Sequence, residues 1–390
     1  MTHPNTLPFD TERLLAGIRS WVETESPTYD AAAVNRMMDL AAHDLAVLGA
    51  RIERIPGRMG FGDCVRARFP QASLGGGADA PGILLLSHLD TVHPVGTGAP
   101  GGPLAFRREG AGAAERAYGP GICDMKGGAY LALAAVGAIL AAGASTKLPI
   151  SVLLTSDEEV GSPSTRALIE AEAARQKVVL IPEPARSDGG VVWGRYAIAR
   201  FALEAVGRPS HAGARLAEGR SAIREMATQV LAIEAMSSEE ATTSVGVIQG
   251  GAWVNCVPTH CRAECLAMAK TQADLDALVA RLGALRPSTP DVRFTITPTL
   301  TRPVWEPDAQ GRALHARAEA IARAIGIGAL PASSAGGGSD GNFTGAMGVP
   351  TLDGLGVLGG GIHTLEEHLL VSSLVPRARL LAGLLMTLEG

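Results

Sequence analysis

The sequence predicts an α/β protein with a mixed, mostly parallel sheet flanked by helices and a smaller inserted α+β domain. Nearly continuous apolar runs alternate with a helical segment between residues 82 and 185, as in βαβ units. From about residue 194 to 302 the pattern changes to strands that alternate with two helices. We therefore expect a first domain of residues 1–193 and 303–390 and an inserted domain of residues 194–302.

Apolar residues at helical spacing predict the helices of both domains. These helices are expected at residues 10–24, 30–49, 127–144, 221–236, 272–285 and 311–326 and at the end of the chain. Apolar runs between Gly and Pro residues predict buried strands. The clearest strands are expected at residues 82–90, 149–159, 177–185 and 349–356, with a Gly-rich loop at 333–341.

The composition is that of a folded protein and argues against a nucleic-acid-binding protein. The 390 residues are enough for two domains, and 46% hydrophobic with 19% charged residues is the balance of a folded chain with a sizeable core. A net charge of -5 supplies no basic field for phosphates, and 4% aromatic residues offer few platforms for stacking bases. We therefore expect no nucleic-acid partner.

The cysteines and the N-terminal residues predict a cytoplasmic protein. Five cysteines without a C-x-x-C pair suggest neither a disulfide framework nor a thiolate zinc site. The first residues lack the apolar core of a signal peptide, and glycines interrupt the Ala-rich stretch after Lys126. We expect buried free thiols in a reducing compartment and no membrane association.

Imidazole and carboxylate side chains follow the predicted buried strands. His88 and Asp90 are two residues apart at the end of an extended run, so their side chains point to one face. Asp90 could accept a hydrogen bond from a metal-bound His88 ring. An ordinary polar strand end is the alternative interpretation of the pair. Ligands of such sheets gather at the carboxyl ends of the strands, which favours a site here.

Two further acidic segments lie between and after these strands. Asp124 comes just before the helix at 127–144, where a helix N-cap is the alternative role for an Asp. Glu158 and Glu159 follow Asp157 at the end of an apolar strand, where a solvated acidic turn is the alternative. Such a cluster repels itself unless cations neutralise it. One glutamate could bind a metal while the other holds a water.

Glu183 and His363 complete the set of candidate ligands. Glu183 ends an apolar run between Pro182 and Pro184, and His363 follows three glycines. A surface position is the alternative for His363. Taken together, imidazole and carboxylate ligands without thiolates predict a zinc site, with Co²⁺ or Mn²⁺ as alternatives.

Eight motifs resemble, in order and spacing, those of the co-catalytic zinc carboxypeptidases and deacylases. This family includes glutamate carboxypeptidase, acetylornithine deacetylase, succinyl-diaminopimelate desuccinylase and aminoacylase, and the wording of the motifs is nearest to glutamate carboxypeptidase. The motifs are SHLDTV, GPGICDMKGG, TSDEEVGS, PEPA, GRPSHAG, VNCVP, GGGSDG and GIHTLEEH. The resemblance extends over residues 80–390 and implies a zinc-peptidase-like catalytic domain.

The resemblance implies a role for each candidate ligand. Asp124 would bridge two zinc ions in each subunit. His88 and Glu183 would complete one ion site, and Glu159 and His363 would complete the other.

Two further carboxylates have implied roles in the same site. Asp90 would orient His88. Glu158 would be the general base that takes a proton from the attacking water and gives it to the leaving amine.

The inserted domain has implied roles outside the metal ligands. In the family it is a lid and commonly the interface of a homodimer. His211 in GRPSHAG would stabilise the oxyanion, with a turn residue as the alternative. Asn255 and Arg302 would hold the substrate, with a surface arginine as the alternative for Arg302.

Three residues of the Gly-rich loop have an implied role in the substrate pocket. Gly337, Gly338 and Ser339 would line it with backbone N–H groups.

The sequence leaves the substrate open. Where many relatives carry Asp-x-Arg after the N-x-x-P element, this chain has Leu266, Ala267 and Met268. Specificity for an acidic residue is therefore not implied. We expect hydrolysis of a short peptide or an N-acyl amino acid by a carboxypeptidase, with an N-acyl amino acid deacylase as the alternative. A related aminopeptidase and a non-catalytic metal-holding scaffold are weaker alternatives.

Overall fold

The computed structural model describes residues 3–75, 77 and 80–389. The helices are α1 (Thr11–Glu23), α2 (Ala31–Val47), α3 (Gly127–Ala141), α4 (Arg166–Ala173), α5 (Ala222–Glu234), α6 (Gln272–Gly283), α7 (Ala309–Ala324), α8 (Gly341–Ala346) and α9 (Leu374–Thr387). The first eight strands are β1 (Arg51–Ile55), β2 (Cys64–Arg68), β3 (Ile83–His88), β4 (Arg107–Glu109), β5 (Arg116–Tyr118), β6 (Ile150–Thr155), β7 (Val178–Leu180) and β8 (Val191–Arg195). The others are β9 (Ala197–Val206), β10 (Ala241–Gly250), β11 (His260–Ala269), β12 (Arg293–Arg302), β13 (Ala332–Ala335), β14 (Thr351–Leu352), β15 (Gly359–Gly360) and β16 (His368–Leu370).

Contacts divide the chain into two compact units. Unit 1 comprises residues 1–194, 307–334 and 339–390, and unit 2 comprises residues 195–306 and 335–338. The predicted inserted domain, residues 194–302, does not include the short second segment of unit 2 at residues 335–338.

The central sheet of unit 1 has six strands in the order β1-β2-β6-β3-β7-β14. Strands β6, β3, β7 and β14 run parallel. Strand β2 pairs antiparallel with β6, and β1 pairs antiparallel with β2. Every residue of β3 and β6 is buried, as expected for strands that are covered on both faces. The predicted α/β class with a mixed, mostly parallel sheet is confirmed.

Capping side chains fix where several helices begin. Asp10 accepts a hydrogen bond from the Arg13 N–H at 2.8 Å before α1, and Asp30 accepts one from the Ala33 N–H at 2.9 Å before α2. Each cap satisfies a backbone donor that the first turn leaves without a partner. The six helices that were predicted with bounds begin and end within a few residues of those bounds, whereas α4 and α8 were not predicted.

Helix α3 lies in the core of unit 1. Residues 122–141 are long and apolar enough by composition to cross a membrane, but most of this stretch is buried inside the protein. Leu131, Val136 and Ile139 pack in the same core cluster as Leu85 of β3. The apolar length of the helix is therefore accounted for by its burial in unit 1.

Two predicted strands are shorter than expected. The run at 177–185 forms a strand only over Val178–Leu180, because Pro182 and Pro184 have no N–H to donate. The run at 349–356 pairs in the central sheet only at Thr351–Leu352, and Gly354 then turns the chain with φ 71°. Part of the predicted Gly-rich loop forms β13.

Unit 2 contains an antiparallel sheet in the order β10-β11-β9-β12. Alternate residues of β9 and β11 are buried, and helices α5 and α6 contribute to the same core. This alternation is typical of a sheet with one buried face. Phe201 of β9, Met226 of α5 and Leu278 of α6 are among the buried residues.

Candidate metal centre

His88 is the last residue of β3 and is 1% exposed. Its Nε2 lies 3.2 Å from Oδ1 of Asp124 and 3.6 Å from Oε1 of Glu183. On the other side of the ring, Nδ1 lies 3.0 Å from the backbone oxygen of Asp90. A carbonyl oxygen can only accept, so Nδ1 carries the proton of a neutral ring and the lone pair of Nε2 is available to a metal ion.

Asp124 lies between two imidazoles. Its Oδ1 faces His88, and its Oδ2 lies 3.4 Å from Nε2 of His363. Nε2 of His363 also lies 3.0 Å from Oε2 of Glu159. Asp124 has non-helical backbone angles within the turn Ile122–Lys126, so it is not the N-cap of α3, which is Lys126.

His363 has an unusual backbone conformation. Its φ is 63°, a left-handed value that few non-glycine residues adopt. Its side chain is 53% exposed, whereas the side chain of His88 is 1% exposed. Asp124 therefore has a buried imidazole on one side, that of His88, and a solvent-exposed imidazole on the other, that of His363.

A close approach between two backbone segments places Glu183 beside His88. A Cβ on Gly128, at the start of α3, would lie 1.8 Å from the carbonyl oxygen of Pro182. Only glycine allows the first turn of α3 to lie against the segment that carries Glu183. Gly128 thus connects the position of the Asp124 turn to the position of Glu183.

The carboxylate of Asp90 holds the turn that contains both glutamates. Oδ1 accepts a hydrogen bond from the Glu158 N–H, and Oδ2 accepts one from the Glu159 N–H, each at 3.2 Å. The hydroxyl of Thr28 also donates to Oδ2, at 2.8 Å. Oδ1 lies 3.5 Å from Nδ1 of His88, so the shorter contact to His88 is made by the Asp90 backbone and not by the carboxylate.

Burial of several carboxylates together shifts their pKa values. Burial, with the charge of Asp124, raises the pKa of Glu159 to about 8. Burial also raises the pKa of Glu183 well above its usual range, with added repulsion from Asp124. Burial works to raise the pKa of Asp124 too, but hydrogen bonds with His363 and His88 lower it. Hydrogen bonds with Asp124 and with Glu159 raise the pKa of His363 to about 10.

These side chains fit a bound metal. Ligand atoms of His88, Asp124 and Glu159 all lie within 4.8 Å of one another. Their nitrogen and oxygen donors suit zinc, and a cation would offset the repulsion that raises the pKa values of Glu159 and Glu183. Glu158 is 8% exposed and its Oε2 lies 4.0 Å from Nε2 of His88. A carboxylate that can move a proton therefore lies beside the candidate ligands.

Ser339 differs from the expectation for the Gly-rich loop. Its N–H donates to Oδ1 of Asn342 at 3.0 Å, and its hydroxyl donates to Oδ2 of Asp353 at 2.6 Å. The residue is completely buried in unit 1. The expectation that its N–H faces a substrate is corrected, because that N–H closes the turn before α8.

Arg302, Gly337 and Gly338 belong to unit 2. Arg302 is 3% exposed, and a Cβ on Gly338 would lie 2.4 Å from its Cδ. Arg195 donates to the carbonyl oxygens of Gly337 and Gly338 at 2.7 and 3.2 Å. Two arginines therefore pack against this loop.

His211 and Asn255 also belong to unit 2. The Nδ1 of His211 accepts hydrogen bonds from the N–H groups of Gly213 and Ala214 at 3.2 and 3.1 Å. The carbonyl oxygen of the exposed Asn255 accepts from the Ala212 N–H at 3.0 Å. Since Nδ1 of His211 is an acceptor, the proton of the neutral ring is on Nε2.

Three buried polar residues lie within a few positions of the candidate ligands along the chain, and the sequence patterns did not indicate them. His93 is 6% exposed, Lys126 is fully buried and Glu367 is 1% exposed. Lys126 donates to the carbonyl oxygens of Trp21 and Thr24 at 3.2 and 2.8 Å. The signal that could have found these residues is their position, within five residues of His88, Asp124 or His363.

Comparison with known proteins gives the family. Residues 84–387 match the sequence model of peptidase family M20/M25/M40. Carboxypeptidase G2 of Pseudomonas sp. (strain RS-16) is 29% identical over 317 residues, which are 80% of this chain and 74% of that protein. Acetylornithine deacetylase of Myxococcus xanthus is 33% identical over 159 residues, 38% of this chain and 40% of that protein.

Solved structures share the fold. The aminopeptidase PepT of Bacillus cereus superposes with a TM-score of 0.76 at 21% identity, covering 97% of this chain and 98% of that one. A tripeptidase of Staphylococcus aureus gives the same TM-score and the same coverage at 19% identity. The chain therefore belongs to peptidase family M20/M25/M40 and is a metallo-hydrolase of amide or peptide bonds.

Proposed function

We propose that this protein releases a C-terminal or N-acylated amino acid by hydrolysing an amide bond, in the manner of a glutamate carboxypeptidase. The observation that carries the proposal is the placement of Asp124 between His88 and His363. The similarity to carboxypeptidase G2 over 80% of the chain favours a short peptide or N-acyl amino acid as the substrate.

A deacylase of the acetylornithine or succinyl-diaminopimelate type is the second candidate. The chain is 33% identical to an acetylornithine deacetylase and 34% identical to a succinyl-diaminopimelate desuccinylase, over 38% and 31% of its length. The two candidates share the metal ligands and differ in the acyl group and in the amino acid released. Leu266, where many relatives carry an acidic residue, leaves the substrate to be identified by assay.

We assign two ion sites to the candidate centre, with zinc as the metal and Co²⁺ or Mn²⁺ as alternatives. His88, Glu183 and Oδ1 of Asp124 would hold one ion. His363, Glu159 and Oδ2 of Asp124 would hold the other. When bound, the metal supplies polarisation of the scissile carbonyl and a lowered pKa of the attacking water.

Glu158 is the proposed general base. It would take a proton from the attacking water and return it to the leaving amine. Its backbone N–H is fixed by the buried carboxylate of Asp90, so the side chain starts from a defined position beside His88. Asp90 is not assigned that task, since its two oxygens bind the backbone N–H groups of Glu158 and Glu159.

His211 is the proposed donor to the oxyanion. With Nδ1 occupied by two backbone N–H groups, Nε2–H of the neutral ring is free to donate. Asn255 and Arg302 are the proposed contacts to the substrate, with Arg302 binding its carboxylate. Gly337 and Gly338 would offer their N–H groups, since the known contacts of this loop to Arg195 use carbonyl oxygens.

A homodimer through unit 2 is part of the proposal. Strand β10 is at the edge of its sheet in the described residues, and Val247 and Ile248 on it are 43% and 52% exposed. An exposed apolar edge strand is suited to pairing with a second copy. A molar mass of one chain in light scattering would exclude this assembly.

We also propose that the protein works in the cytoplasm. All five cysteines are free thiols, and four of them are buried. A reducing compartment keeps such thiols unpaired. Fractionation of the cells that produce the protein would test this assignment.

The function is tested by metal content together with hydrolysis of N-acetyl, N-succinyl, benzoyl and folyl amino acids. We expect about two ions per chain in the wild type, and Glu158→Ala should keep them while turnover falls by about 10²–10⁴-fold. Glu159→Gln is the contrasting variant, because a lost ligand should lower the metal content itself. The substrate with the highest kcat/KM decides between carboxypeptidase and deacylase. Hydrolysis that survives Glu158→Ala or removal of metal by a chelator would disprove the mechanism.

A further inference from the structure

A single buried carboxylate binds the turn that carries Asp124. Oε1 of Glu367 accepts hydrogen bonds from the N–H groups of Cys123 and Asp124 at 2.9 and 3.1 Å. Its Oε2 accepts a hydrogen bond from the Gly121 N–H at 3.1 Å. Three N–H groups of one short turn thus converge on one side chain, an arrangement that binds anions.

The backbone places Glu367 at this point. Strand β16, which begins at His368, pairs antiparallel with β5, which ends at Tyr118, and these two residues are directly opposite each other. Glu367 and the Asp124 turn therefore leave the same end of this strand pair. Gly121 has the left-handed φ of 69°, and a Cβ added there would lie 2.5 Å from Cγ2 of Thr91. Glycine is therefore required for the turn to close around the carboxylate of Glu367.

His93 is the fourth partner of Glu367. Its Nε2 lies 2.9 Å from Oε2 of Glu367, and both residues are buried. A carboxylate can only accept, so Nε2 of His93 is the donor. His93 follows the ligand His88 by five residues, and Glu367 follows the ligand His363 by four. The pair therefore joins the three segments of the chain that carry His88, Asp124 and His363.

We infer that Glu367 is a positioning residue that fixes Asp124 between the two ion sites, and that His93 holds Glu367 in place. The inference rests on the proposed function, because it assigns Glu367 a role in metal binding. Asp124 is the proposed ligand that the two sites share, so a displaced turn weakens both sites together. The side-chain carboxylate of Glu367 bonds to this turn and to His93, and Glu367 is not one of the proposed ligands.

A structural role without influence on the metal is the competing explanation. In that case the loss of the carboxylate would lower thermal stability and leave the affinity for metal unchanged. Partners of metal ligands typically change affinity or activity by about 10- to 100-fold when they are replaced. Metal affinity measured on folded protein therefore separates the two roles.

The test compares Glu367→Gln with Glu366→Gln. Glutamine keeps the shape, but either orientation of its amide places an NH₂ group against a backbone N–H, because both oxygens of Glu367 accept from the turn. Glu366 is the preceding residue and is exposed, so the same substitution there is a matched control. Zinc affinity is measured by competition with a chromophoric chelator, and folding by circular dichroism and thermal unfolding of the metal-loaded full chain.

We expect Glu367→Gln to bind zinc about 10- to 100-fold more weakly than the wild type, with both ions affected, and Glu366→Gln to match the wild type. Equal affinity in folded Glu367→Gln and in the wild type would overturn the inference and leave the proposed function intact. A wild-type protein without measurable zinc affinity would instead remove the proposed function.

A second variant decides the case in which Glu367→Gln does not fold. His93→Phe keeps a ring of similar size and removes the donor to Glu367, while the three backbone contacts remain. Weaker zinc binding by this variant supports the inference. Unchanged zinc binding overturns it.

Discussion

Nδ1 of His88 lies 3.0 Å from the backbone oxygen of Asp90, two residues further along the chain. This contact fixes the ring so that Nε2 faces Asp124 and Glu183. The carboxylate of Asp90 is thereby left to bind the N–H groups of Glu158 and Glu159. One buried residue positions a proposed ligand with its backbone and the proposed general base with its side chain.

The first prediction concerns the carboxylate of Asp90. Asp90→Asn keeps the backbone contact to His88, but its NH₂ group must face one of the two N–H donors of the 158–159 turn. We expect activity to fall by about 10- to 100-fold in a protein that still folds. Steady-state kinetics with metal analysis measures the effect, and Asp39→Asn, whose side chain is 75% exposed, is the control. Wild-type kcat/KM in Asp90→Asn would contradict the assigned role.

The second prediction concerns His211. Removing a preplaced oxyanion donor typically costs about 10²–10³-fold in kcat, so we expect that loss in His211→Ala. Metal content should stay at the wild-type value, since His211 belongs to unit 2 and the proposed ligands belong to unit 1. His260→Ala, at another exposed histidine of unit 2, provides the comparison. A turn residue without a catalytic role would give equal kcat values in the two variants.

The third prediction uses two adjacent glycines. A Cβ on Gly338 would lie 2.4 Å from Cδ and 2.6 Å from Nε of Arg302, whereas the nearest atom to a Cβ on Gly337 is 3.9 Å away. Gly338→Ala should therefore displace Arg302, raise KM and lower the free energy of unfolding by about 1–3 kcal/mol. Gly337→Ala should keep the wild-type stability in chemical denaturation, because a Cβ there meets no atom closer than 3.9 Å. A wild-type KM in folded Gly338→Ala would show that Arg302 does not contact the substrate.

The fourth prediction is the pH dependence of Glu225 in unit 2. Burial works to raise its pKa, but hydrogen bonds from Gln229, Ser288 and Thr289 lower it from 4.5 to about 2. A lowered folded-state pKa stabilises the folded protein above pH 4.5, and this stabilisation is lost as the pH falls toward 2. Glu225→Gln should lower the free energy of unfolding by about 1–3 kcal/mol at pH 7.

Denaturant titrations between pH 7 and pH 3 check this prediction. The difference between wild type and Glu225→Gln should narrow as the pH falls, because only the wild type loses the charged carboxylate. Glu239→Gln is the control, since the side chain of Glu239 is 87% exposed. A difference in stability that is independent of pH would attribute the effect to packing instead.

Much of the fold follows from local patterns in the sequence. The all-buried strands β3 and β6 were recognisable as continuous apolar runs, and α3 as a long apolar helix that ends near Gly143. The short strand β7 was less predictable, because Pro182 and Pro184 remove the donors that would have extended it. The end of a strand depends on which N–H groups find partners, and that depends on neighbours distant in sequence.

The candidate ligands were also recognisable, since His88, Glu159 and Glu183 each follow an apolar run. Their mutual distances were not, because residues far apart in sequence meet only when parallel strands align their carboxyl ends. The sequence likewise suggested the carboxylate of Asp90 as the partner of His88, whereas the structure gives its backbone the shorter contact.

The α/β class, the buried strands and the kinds of side chain that could bind a metal follow from the amino-acid sequence alone. Hydrophobic periodicity and residue chemistry are local properties, so they can be read without coordinates. The contacts that join Glu367 and His93 to three separate segments, and the inward turn of the Ser339 N–H to Asn342, are visible only in the folded chain. Such hydrogen bonds depend on which distant segments pack together, because a buried donor or acceptor is satisfied by whatever partner the fold brings within reach.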